Sequence, residues 1–125
     1  MANYKLVHSE PAPRVELHEA LGLTGAEVSI NTVPPNGGVP FVHVHTNNEE
    51  PYIVLEGKGN LWIDGETLPI QACDIFRIYP AGKRAIRAAA DSSLKYICIQ
   101  TKAHSLGGFT MTDAKLVDDK APWMK

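Results

Sequence analysis

His43 and His45 are the residues best placed to do chemistry, and they lie in the stretch Gly37 to Gly57, GGVPFVHVHTNNEEPYIVLEG. In an extended chain, side chains two apart leave the same face, so both imidazoles share one side with Phe41. Val42 and Val44 take the other side, a pattern that predicts a strand. Thr46, Asn47 and Asn48 are turn formers that let the chain reverse. Glu49-Glu50-Pro51 then opens a second β-rich run, Tyr52 to Leu55, closed at Gly57. A hairpin of this kind sets a carboxylate opposite the two histidines. Two neutral imidazoles and one carboxylate on a single wall suit a divalent first-row metal with positions left open. A pair of histidines on a strand can also be simply a hydrogen-bonded buried pair, the reading that a lone His-x-His would favour.

The elements around this stretch read as short strands. Tyr4 to His8 is expected as an edge strand, ended by Pro11 and Pro13, which cannot donate to a ladder. Arg14 to His18 alternates charged and apolar residues, and Glu19-Ala20-Leu21 adds one helical turn stopped at Gly22. Ala26 to Val33 alternates again, with Val28, Ile30 and Thr32 on one face. Asn60 to Ile63 and Glu66 to Ile70 flank Asp64-Gly65, a two-residue hairpin signal, and Pro69 indicates an edge or a bulge. Leu94 to Thr101 is a further strand, and Phe109 to Thr112 a short last one. Many short strands with glycine turns predict an antiparallel sandwich or barrel. The tail from Thr112 to Lys125 is expected to pack on the barrel or on a partner.

With 125 residues, the chain is expected to form a single domain, residues 1–125, with a barrel core at about 26–101. A net charge of -2 gives no electrostatic reason for a nucleic-acid or membrane partner. No apolar run is long enough to span a bilayer, no signal pattern opens the sequence, and the expected location is cytoplasmic. Cys73 and Cys98 are too few for a disulfide framework and lack metal-type spacing. Cys98 reads as a small buried hydrophobe, Cys73 as a turn residue.

The stretch Gly37 to Gly57 resembles the first motif of the cupin superfamily: Gly, five residues, His-x-His, three or four residues, Glu, six residues, Gly. Gly37, His43, His45, Glu50 and Gly57 fill those places, and the spacing to Gly57 selects Glu50 over Glu49. Cys73 to Ala85 is similar to the second motif, with Asp74, Pro80 and Gly82 matching and Cys73 in the usual glycine's place. Ala85 stands where the family carries its remaining histidine ligand. The resemblance runs from about Ile30 to Ile99. It implies an all-β antiparallel jelly-roll barrel (a double-stranded β-helix) and a homodimer.

From the resemblance, Phe41, His43, His45, Glu50, Tyr52 and Val54 are expected to line the interior, with Trp62 outward and available for contact. If Ala85 faces inward, alternation sends Arg87 inward too, where its fork of donors would grip a carboxylate or phosphate. A frayed strand would instead turn Arg87 to solvent, and Lys83 and Arg84 are expected at the surface. The implied cofactor is a divalent ion (Fe, Mn, Ni or Zn) on three protein ligands, with Tyr52 as a proton or hydrogen-bond donor and Arg87 and Phe41 contacting a small polar or anionic metabolite. Two functions stay open: a metal-dependent oxygenase, isomerase or decarboxylase, and a non-catalytic binding or sensing module.

Overall fold

The computed structural model describes residues 2–124. Its strands are β1 (Arg14–Glu16), β2 (Glu27–Val33), β3 (Asn48–Ile63), β4 (Glu66–Gln71), β5 (Ile75–Ile78), β6 (Arg84–Ala88) and β7 (Leu94–Lys102), with one short helix, α1 (His18–Leu21). Every pairing is antiparallel. The expected jelly-roll barrel is the fold of the chain.

Strand β3 organises the barrel. Its first half pairs with β5 and β7, and its second half pairs with β4 and β6. The change of sheet occurs at a register shift between Val54 and Glu56, followed by Gly57 with φ +82°. A bulge beside a left-handed residue bends a strand sharply, so the chain turns the barrel corner without a loop. The sequence reading closed a strand at Gly57; the ladder instead continues through it, because Lys58 and Gly59 pair with Gln71 and Ile70. At the far end, Asp64 and Gly65 both have positive φ, the geometry of a tight hairpin between twisted strands. Pro69 falls on β4, at the end of the strand order, where a missing N–H is tolerated.

Alternation selects the inward face of each strand. Val54, Leu61, Ile86, Leu94 and Tyr96 meet in the core. Full burial of Val54 and Leu94 contributes about 1.5–3 kcal/mol each, which opposes any one-residue slip. On β2 the buried residues are Ser29 and Asn31, joined by an Asn31 Nδ2–H donating to Ser29 Oγ at 3.0 Å. Glu27 accepts hydrogen bonds from the Leu17 and His18 backbone N–H groups and so holds the start of α1.

Four local expectations are corrected. Tyr4–His8 forms no strand, since its exposed residues find no edge to pair with. The first hairpin strand is absent as well: His43 to His45 is extended but joins its neighbours through one isolated bridge. The final strand is replaced by a 3₁₀ turn at Thr110–Thr112. The tail does not pack on the barrel, for Leu116 and Trp123 stay exposed.

Candidate metal centre and its pocket

The histidine segment is stitched to the start of β6. His43 N–H donates to the Arg84 carbonyl at 3.2 Å, Arg84 N–H donates back to His43 at 3.1 Å, and His45 N–H donates to the Pro80 carbonyl at 2.9 Å. These bonds hold the imidazoles over the barrel mouth, with ring centroids 5.2 Å apart and nearly perpendicular planes. Glu50 and Tyr52 come from the inward face of β3. The cross-strand neighbours Phe76 and Cys98 fix Tyr52, whose ring stacks on Phe76 at 4.9 Å.

His43, His45 and Glu50 each offer a donor atom within 4.8 Å of the others. His43 Nδ1 and His45 Nε2 are buried and without hydrogen-bond partners. His45 Nε2 lies 3.2 Å from Glu50 Oε2, yet without the alignment of a hydrogen bond. Burial lowers the pKa of His43 below the usual imidazole value; the Arg84 and His45 charges add to this, and Glu50 opposes it. A neutral imidazole has a lone pair to give. Orphaned ring nitrogens converging on a carboxylate fit a divalent ion.

Glu50 is 3% exposed and held from two sides. Tyr52 Oη–H donates to Oε1 at 3.0 Å, and the Cys98 thiol donates to Oε2 at 3.4 Å. Burial, reinforced by the neighbouring Cys98 and Glu50 charges, raises the pKa of Tyr52 strongly, so its hydroxyl keeps its proton. Burial pushes the Cys98 thiol up to about 12, with Glu50 adding to the shift. Cys98 is thus buried and unreactive as expected, but it also supports the carboxylate.

The greatest departure concerns β6. Its buried residues are Arg84, Ile86 and Ala88, while Arg87 is exposed and donates from Nε to Asn60 Oδ1 at 3.3 Å. Ala85 pairs with Trp62 on the outer face, beside a groove shared with Arg87. Of the two placements open for Arg87 the solvent-facing one holds, and Ala85 lies on the outer face rather than the inner one. Leu61 pairs with Ile86 and Gly59 with Ala88, and this apolar face carries Arg84 inward with it. Arg84, expected at the surface, is 1% exposed. Its Nη2 donates to the Tyr79 carbonyl at 2.7 Å, its Nη1 is 3.9 Å from Glu50 Oε1, and its Nε and Nη1 donate to nothing.

A cavity of about 230 Å³ joins His43, His45, Glu50, Tyr52 and Arg84 to Phe41, Val39 and Ile86. Phe41 sits at its mouth, 59% exposed and edge-on to His43 at 5.9 Å. Arg14, Asn31 and Cys98 complete the wall, residues that the sequence reading left out of the site. A roomier cleft of about 410 Å³ lies around Lys58, Gln71 and Asp74, with no histidine or cysteine. The chemistry selects the smaller cavity. Trp62 lies on the outer face, half-buried in its groove.

Residues 29–100 match the cupin domain family. A crystal structure of a cupin protein from Bacteroides fragilis is 55% identical, covers 94% of this chain and 99% of that one, and superposes with a TM-score of 0.91. A putative sugar phosphate isomerase from Acidithiobacillus ferrooxidans is 26% identical over 71% of this chain and 59% of its own, with a TM-score of 0.64. An uncharacterized protein of Methanocaldococcus jannaschii is 29% identical over 73 residues, 58% of each chain. The present chain thus spans little more than half the length of that relative.

Proposed function

Because this chain belongs to the cupin family, we propose that its barrel pocket binds a divalent first-row metal on His43, His45 and Glu50 and takes a small polar or anionic metabolite beside it. The observation that carries this reading is the cluster of donor atoms from His43, His45 and Glu50 within 4.8 Å of one another, with a buried nitrogen of each imidazole left without a hydrogen-bond partner. When bound, such an ion supplies Lewis acidity or redox chemistry, the basis of oxygenase, isomerase and decarboxylase activities. Tyr52 and Cys98 orient Glu50 by donating to its two oxygens and keep the carboxylate from rotating. Tyr52 holds its proton on Oη, 3.0 Å from Glu50 Oε1. Phe41 and Val39 screen the mouth from water. The sugar phosphate isomerase likeness supports a polar metabolite as the guest.

A second reading is favoured by Arg84, an internal cation already placed 3.9 Å from Glu50. In that reading the barrel retains a small anion without metal and acts as a binding or sensing module. Elemental analysis after purification without chelators, paired with oxygen uptake and metabolite turnover assays, separates the two. Stoichiometric metal with turnover supports the enzyme. A metal-free protein that a metabolite stabilises against heat, without turnover, supports the module.

A further inference from the structure

We propose that Arg84 makes the pocket a receptor for a small organic carboxylate, and that this anion and the divalent ion bind as a coupled pair. The proposal rests on the metal reading above and assigns the class of its guest. Arg84 is buried, yet only Nη2 has a partner, the Tyr79 carbonyl. That bond fixes the guanidinium head and leaves Nε and Nη1 with nothing to donate to. A buried cation with unmet donors is costly, and the cost is relieved when an acceptor arrives.

Glu50 does not serve as that acceptor. It stands 3.9 Å from Nη1, beyond hydrogen-bond reach. Its oxygens are already turned to Tyr52 and Cys98. The charges point the same way. Imidazoles that hold a metal are neutral, so Glu50 offsets Arg84 and a divalent ion brings two further positive charges to the pocket. An incoming carboxylate offsets that excess and satisfies Arg84 at once. The cavity, about 230 Å³, is below the usual range for drug-sized ligands, so the guest is compact. Val39, Phe41 and Ile86 suit its carbon skeleton. Arg14 also reaches the wall, but its Nη1 is tied to Asn31 Oδ1 at 2.8 Å and its Nε is paired with Glu16 at 3.1 Å, so it adds no free charge.

The experiment is calorimetric titration of Co(II) into the apo-protein, in chloride buffer of fixed ionic strength, with and without acetate, pyruvate or sulfate. For the wild type, acetate or pyruvate is expected to tighten Co(II) binding by about tenfold, with a reciprocal gain for the carboxylate. Complexes of Co(II) with these anions in solution act in the opposite direction, so they cannot mimic the effect. Arg84→Met is expected to bind Co(II) alone more tightly, since a repelling cation is gone, and to lose the carboxylate effect. Arg84→Lys is expected to retain less than half of it, because a point charge cannot hold Tyr79 and an anion together. Should Arg84→Met fail to fold, the wild-type and lysine titrations still decide. Co(II) binding indifferent to both carboxylates overturns the proposal and leaves the metal reading standing. Tightening by sulfate alone overturns the carboxylate assignment. No Co(II) binding in the wild type or in Arg84→Met overturns the metal reading itself, and the coupling with it.

Discussion

Glu50 is the residue on which the site turns, because a phenol and a thiol donate to its two oxygens while an imidazole nitrogen lies 3.2 Å away and a guanidinium 3.9 Å away. The same crowding makes Cys98 a donor rather than a nucleophile. Its thiol, pushed up to about 12, stays protonated at neutral and mildly alkaline pH. Cys73 is exposed. A thiol reagent at pH 8 is therefore expected to modify Cys73 alone in the folded protein and both cysteines in guanidinium; rapid native reaction of Cys98 would contradict its placement. Ala85 gives a second residue-level prediction. Because it faces outward, Ala85→His is expected to leave metal affinity unchanged, against the roughly 10–100-fold that even an outer contact to a ligand carries. A clear tightening, measured by competition with a chelator, would mean that β6 presents its other face.

At the scale of elements, β6 shows what the sequence made legible and what it hid. The His-x-His spacing and the glutamate five residues on were enough to bring three donors together, since the motif specifies a local geometry. Motif spacing carried through Ala85 favours the face of β6 that turns out to be the outer one. The alternation of Ile86 and Ala88 around Arg87 already placed Arg84 on the apolar side. Arg14 and Asn31 could not be read as neighbours of the site, because strand register between β1, β2 and β7 is decided by packing far along the chain. The histidine strand was overcalled for a related reason: a period-two pattern marks extended backbone but does not supply a partner. Strand β3 carries the element-level prediction. A Cβ at Gly57 would overlap the Ser93 carbonyl oxygen, and its φ of +82° disfavours side chains. Gly57→Ala is expected to destabilise the fold by roughly 3 kcal/mol. A denaturation midpoint unchanged from wild type would show that the barrel corner is not rigid.

At the scale of the whole molecule, the barrel is flanked by N- and C-terminal segments whose apolar residues, among them Leu6, Leu116 and Trp123, are exposed. No helix among the described residues is long and apolar enough to cross a membrane. The homodimer that the family resemblance implies can be tested through these segments. Light scattering is expected to give about twice the 13.6 kDa chain mass, and Leu116→Asp with Trp123→Asp to move the species towards monomer. A 13.6 kDa species at every concentration would contradict this. The barrel's central claim is the metal centre, and the most direct test is calorimetric titration of Co(II) into apo wild type, His43→Ala, Glu50→Gln and Glu49→Gln. Wild type and Glu49→Gln are expected to bind Co(II) equally and stoichiometrically, and His43→Ala and Glu50→Gln to lose more than about 100-fold. Equal Co(II) affinity in all four proteins would contradict it.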